Sequence, residues 1–160
     1  MTFITKEIGL LIDNVLKKFP ADRKKSAIIE SLLILQHHNS GYVTRDIMHE
    51  LSKYLSVSEI EIYEVATFYT MINTKPVGKN IIAVCNNVSC MLRGSDQILS
   101  HIEKKLNIKV GESTSDNKFF LKDEVECLAA CNGAPMMQIN HKNYENISIE
   151  QVDKIIENLK

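Results

Sequence analysis

The stretch Lys75–Asp96, KPVGKNIIAVCNNVSCMLRGSD, separates two kinds of pattern in this chain. Before it, apolar residues recur at helical spacing. Pro76 and Gly78 interrupt that rhythm. The next segment, NIIAVC, is short, apolar and β-branched, which is the composition of a strand. Cys85 ends that strand, and Cys90 reads as part of the loop before the next helix. The other two cysteines, Cys127 and Cys131, lie in ECLAACNGAPMMQIN, thirty-six residues further on. The chain thus carries one C-x4-C pair and one C-x3-C pair, and no other cysteine.

Upstream, four helices are expected. Ile8, Leu11, Ile12 and Val15 fall on one helical face. DRKKSAIIESLLILQHH gives a second helix with Asp22 as its N-cap and an apolar arc of Ile28, Ile29, Leu32, Leu33 and Leu35. VTRDIMHELSKYL gives a third, capped by Thr44, with Ile47, Met48, Leu51 and Leu55 on its stripe. SEIEIYEVATFYTM gives a fourth, with Ser58 and Glu61 at capping-box spacing and Ile62, Val65, Ala66 and Tyr69 inward. Residues 1–75 therefore read as a helical bundle.

Downstream, residues 76–160 alternate between strand and helix. GSDQILSHIEKKL is a helix with Ser95 as cap and Ile98, Ile102 and Leu106 inward. KFFLKDEVEC contains a strand, PMMQIN is another, and HKN turns into a short partner near Tyr144. SIEQVDKIIENLK closes the chain as a helix, with Ser148 and Gln151 forming a capping box. A βα unit followed by a β pair and a last helix is the thioredoxin-type order, so the fold class is α+β.

Composition narrows the function. The 160 residues are 44% hydrophobic, enough for a core without cross-links, and the net charge of −1 gives no basic field for nucleic acid. No apolar run approaches the roughly twenty residues of a membrane span. The first twenty residues lack the features of a signal or transit peptide, so a cytoplasmic setting is expected. In a reducing compartment, paired cysteines point to metal or redox work.

Four readings of the cysteines compete. A [2Fe–2S] cluster takes four thiolates, one pair per iron, and the x4 and x3 loops leave room for backbone N–H groups to face sulfur. Structural zinc favours C-x2-C knuckles. A thioredoxin-like redox site requires C-x-x-C, which is absent. Four buried free thiols would be small hydrophobes, a poor match to pairs flanked by Gly133 and Pro135. The five histidines, His37, His38, His49, His101 and His141, have no ligand-like spacing.

Three motifs, EIYEVATFYTM, KPVGKNIIAVCNNVSCMLRGSD and ECLAACNGAPMMQIN, resemble in order and spacing the thioredoxin-fold [2Fe–2S] subunit of respiratory complex I, the E subunit of bacterial NADH:quinone oxidoreductase. The resemblance runs from about Phe19 to the last helix. It implies that Cys85, Cys90, Cys127 and Cys131 bind one [2Fe–2S] cluster in a thioredoxin-like domain after an N-terminal helical bundle. It implies an electron-carrier subunit with no catalytic residue of its own. It also implies docking on the flavin-bearing F subunit, which holds FMN and NADH, and through it on the other peripheral-arm subunits. The complex would lie at the cytoplasmic side of the inner membrane. The diaphorase subunit of an NAD-linked hydrogenase or formate dehydrogenase shares these motifs, and a zinc-stabilised binding module is the non-enzymatic rival. The family often has Gly where this chain has Ala129, so either the loop keeps an ordinary φ there or the surroundings of the site differ.

Around the cysteines, the start of the following helix and Arg93 are candidates for favouring added negative charge, and Arg93 reads equally well as a solvated loop charge or a subunit contact. Gly133 and Pro135 shape the second loop. Met136 and Met137 are candidates for shielding the site or for strand core. Phe68 and Tyr69 diverge by about 100° on their helix, so one of them is free to face a partner.

Overall fold

The computed structural model describes residues 2–123, 125 and 127–159. The chain divides into two compact units, Met1–Pro76 and Val77–Lys160.

The first unit holds four helices: α1 (Lys6–Leu16), α2 (Ile28–His38), α3 (Arg45–Leu55) and α4 (Glu59–Phe68). Local capping explains three of the starts. Thr5 and Thr44 each accept the N–H three residues on, at 3.3 Å. Glu61 reaches back to accept the Ser58 N–H at 3.2 Å. The expected Asp22 cap is not used. The chain turns at Pro20–Arg23 and then makes a 3-10 turn over Lys24–Ala27, so α2 begins five residues later than an Asp22 cap would place it.

Ile8, Ile12, Leu32, Leu35, Ile47, Leu51, Leu55 and Ile62 form the core of this unit. Leu11, expected inward, is 40% exposed because it lies at the edge of the α1 stripe. The side chain of Gln36 pins the end of the unit: its Nε2 donates to the Met71 carbonyl and its Oε1 accepts the Asn73 N–H. Phe68 is 77% exposed, whereas Tyr69 packs partly on the core.

The second unit contains β1 (Asn80–Val84), α5 (Val88–Leu92), α6 (Ser95–Leu106), β2 (Phe119–Leu121), β3 (Met137–Ile139), β4 (Lys142–Tyr144) and α7 (Ile149–Asn158). The sheet order is β2-β1-β3-β4, with β1 and β2 parallel and the other neighbours antiparallel. Ile82, Val84, Leu121, Met137 and Ile139 meet Ile98, Ile102, Val152 and Ile156 in one core. Asn140 and His141 join β3 to β4 with both residues at positive φ, the twist a two-residue hairpin requires. At the start of α6, Gly94 at φ +90° occupies the cap position, and Ser95 is the first helical residue, fully buried. Asp153 of α7 binds His101 at 2.7 Å and Lys105 at 2.8 Å on α6, clasping the two helices.

The strand expected within KFFLKDEVEC is three residues long. Glu124 and Glu126 from that stretch lie outside the described residues, as does Lys160 of the expected helix SIEQVDKIIENLK. Among the described residues, no helix is long and apolar enough to cross a membrane.

Candidate metal centre

Strand pairing brings the two cysteine segments to one end of the sheet. Because β1 and β3 are antiparallel and Val84 lies opposite Met137, the loop leaving β1 and the loop entering β3 emerge side by side. The ladder extends one step further: the Cys85 N–H donates to the Met136 carbonyl at 3.2 Å. Cys85 is therefore held by the sheet itself.

Cys90 lies within α5 and not in a loop. Asn87 caps that short helix, accepting the Val88 N–H on its side chain at 2.8 Å, and the Cys90 N–H donates to the Asn87 carbonyl at 2.9 Å. Cys85 and Cys90 are buried, at 2% and 1% exposure. Ala134 and Met136 close over them, with Leu128 and Ala130 partly buried alongside. Met137 points into the sheet–helix core, so the strand alternation sends the two methionines to different places. That division follows from the strand register, which spacing alone does not fix.

Cys127 and Cys131 are exposed. Their sulfurs are 3.8 Å apart, and the Ala129 N–H donates to Cys127 Sγ at 3.4 Å. Ala129 adopts φ +58°, so the loop keeps the left-handed turn that glycine would make without strain, and alanine occupies it. After Cys131, a 3-10 turn ends at Gly133. A Cβ at Gly133 would lie 2.7 Å from the Glu145 Cβ, and the Gly133 carbonyl accepts the Asn146 N–H at 2.7 Å. The glycine is thus set by close approach to the β4–α7 connection. The Ala134–Pro135 bond is cis. Arg93 donates from Nη1 to the Ala134 carbonyl at 3.2 Å, tying the segment after Cys90 to the segment after Cys131.

The four thiols converge. Burial pushes the Cys85 thiol up, but the amide N–H groups of Leu128 and Asn87 and the neighbouring Cys90 and Cys127 thiols outweigh it, leaving its pKa below an ordinary thiol's. Burial and the Cys85 thiol raise Cys90, against the Met136 amide and with the Cys85 and Cys131 charges adding to the rise. The Ala129 amide lowers Cys127, yet the adjacent Cys131 thiol, burial and the Cys131 and Cys85 charges carry it upward overall. Among the described residues, no group of three or more His, Cys, Asp or Glu side chains is placed so as to hold a metal ion.

Comparison with known proteins gives this constellation a context. Residues 12–160 match the thioredoxin-like [2Fe–2S] ferredoxins. The chain belongs to that family. It is 44% identical over 158 residues to the E subunit of the NADH-quinone oxidoreductase of Rickettsia conorii, covering 99% of this chain and 93% of that protein. It is 38% identical to the mitochondrial NADH dehydrogenase [ubiquinone] flavoprotein 2 of Dictyostelium discoideum, over 98% of this chain and 63% of that one. Among solved structures, an NAD+-reducing [NiFe]-hydrogenase in the air-oxidised state superposes with a TM-score of 0.68 over 80% of this chain and 22% of that one. At 23% identity, that likeness speaks for the fold.

The donor set fits an iron–sulfur group. The two thiol pairs lie at one end of the sheet, Cys85 interacting with Cys90 and Cys127, and amide N–H groups from Asn87, Leu128, Ala129 and Met136 point at three of the sulfurs. The position of Cys90 inside a helix was missed in the sequence. The Asn-Val-Ser run before it carried the signal, since Asn87 is a good N-cap residue. The Arg93–Ala134 tie had no sequence signal, because its partner is a carbonyl forty-one residues away.

Proposed function

We propose that Cys85, Cys90, Cys127 and Cys131 together hold one [2Fe–2S] cluster, and that the chain is the electron-carrier subunit of a proton-translocating NADH:quinone oxidoreductase. The observation that carries this reading is the convergence of four thiols, amide donors around them, in a chain that matches its E-subunit relatives over nearly their whole length.

When bound, such a cluster takes up and returns one electron at a time. The chain's own residues prepare the place. The two pairs suit two irons, one pair each. Asn87 and Leu128 direct amides at Cys85, Met136 at Cys90 and Ala129 at Cys127, offsetting the negative charge that four thiolates bring. Met136, Ala134, Leu128 and Ala130 keep water from Cys85 and Cys90. Arg93 holds the two cysteine segments in register through Ala134. In this reading the chain holds and passes electrons and has no catalytic residue of its own.

The electron donor in this reading is a flavin-bearing F-type subunit carrying FMN and NADH, in an assembly on the cytoplasmic side of the inner membrane. The identity of 44% to the Rickettsia relative, against 23% to the hydrogenase, supports complex I over the hydrogenase or formate dehydrogenase diaphorase. Co-expression with the tagged flavin subunit of the same organism tests this. Retention of the chain on the tag, with iron and sulfide in equal amounts, is expected. Retention without iron would break the cluster assignment, and iron without retention would break the partner assignment.

A further inference from the structure

The two thiol pairs differ in what can reach them. Cys85 and Cys90 are 2% and 1% exposed under Ala134 and Met136, whereas Cys127 and Cys131 are both open to solvent. The open pair is also already close, with sulfurs 3.8 Å apart on one short loop. A disulfide needs about 2.05 Å, so closure asks for a movement of under about 2 Å in a segment that belongs to no strand or long helix. The loop already bends back on itself at Ala129, whose φ of +58° turns the chain between the two cysteines.

We propose that Cys127 and Cys131 form an oxidation site: in the cluster-free chain a peroxide converts them to an intramolecular disulfide while Cys85 and Cys90 stay reduced. One thiol attacks the O–O bond, which breaks to give a sulfenic acid and one water. The second thiol then attacks that sulfur, the S–O bond breaks, and its oxygen leaves as a second water with the remaining proton. The two sulfurs lose two electrons, and the peroxide takes both. The closed pair no longer offers thiolates, so a cluster cannot be built until a dithiol reductant reopens it. This last consequence rests on the cluster reading above; the oxidation itself does not.

The test uses the full-length chain, stripped of iron by a chelator under reductant and exposed to hydrogen peroxide for graded times. Free thiols are alkylated after denaturation and mapped by mass spectrometry, with circular dichroism following the fold. Because they are exposed and already close, Cys127 and Cys131 are expected to escape alkylation together, as one linked peptide, before Cys85 or Cys90 is lost. Cys127→Ser and Cys131→Ser should each abolish the linked peptide. A first disulfide that contains Cys85 or Cys90, or conversion of Cys127 and Cys131 to sulfinic acids without a link, overturns the proposal. The same samples are then offered ferrous iron and sulfide. Uptake by the reduced chain, none by the oxidised chain and recovery with dithiothreitol support the block. Uptake by the oxidised chain refutes it, and failure of the reduced chain to take up a cluster counts against the cluster reading while the peptide map still decides the pairing.

Discussion

The first cysteine pair is built into regular structure and the second is not. Cys85 continues the β1–β3 ladder and Cys90 lies inside the capped helix α5. Cys127 and Cys131 flank an irregular loop with a left-handed alanine at its centre. The buried pair is ordered by hydrogen bonds of the sheet at Cys85 and of α5 at Cys90, so its geometry comes with the fold. The open pair owes its position to a few local contacts. One half of the site is therefore preorganised, and the other is free to adjust.

This difference is broken most severely by removing a buried cysteine. Cys85→Ala or Cys90→Ala should leave essentially no cluster after reconstitution, read as the loss of iron and sulfide. Cys131→Ser, in the open loop, should retain a weak and labile centre that loses its iron within hours in chelator. Equal behaviour of all three variants would remove the distinction.

Next in size are the two methionines. Met136→Ala and Met137→Ala each empty a fully buried position and should destabilise the chain by about 2–5 kcal/mol in urea unfolding. Only Met136→Ala should also hasten cluster loss, because only Met136 packs on Cys85 and Cys90. A matching effect from Met137→Ala would show that general loosening, and not local shielding, protects the site.

A smaller change sharpens the second pair. Ala129→Gly relieves a left-handed alanine, a conformation that costs about 1–2 kcal/mol, and part of that gain is returned as unfolded-chain freedom. The cluster-free variant should unfold at higher urea by a few tenths to about 1 kcal/mol, measured from equilibrium melts.

The smallest effect is expected at the α6–α7 clasp. His101 and Lys105 bind the Asp153 carboxylate and hold its pKa below the ordinary value. A lowered carboxyl pKa adds stability above the unfolded-state value, about 3.9, and that stability disappears as the pH falls through the folded-state pKa. Asp153→Asn should therefore flatten the acid side of the stability–pH curve and leave iron content unchanged. Altered iron content would mean that the clasp reaches the cysteine loops.

What could be read in the sequence was what is satisfied locally. Thr44, Ser58–Glu61 and Ser148–Gln151 cap their helices through partners three residues away, and each appears in the fold as expected. The pattern failed where the adjoining backbone took a course that composition does not state. Ser95 has the chemistry of a cap, but Gly94 at positive φ takes that role and the hydroxyl is buried. Asp22 lost its helix to the turn at Pro20 and the 3-10 segment after it. At the site, cysteine identity and spacing announced the chemistry. Burial of one pair and exposure of the other depended on how Met136 and Ala134 pack over the end of β1, which no spacing rule contains.

The most direct measurement is the visible and electron paramagnetic resonance spectrum of anaerobically purified protein, before and after dithionite. Broad visible absorption that bleaches on reduction, with the axial or rhombic signal of a single reduced spin, is the predicted result for one [2Fe–2S] cluster on Cys85, Cys90, Cys127 and Cys131. A colourless protein with stoichiometric zinc would contradict it and leave the four thiols as a structural staple.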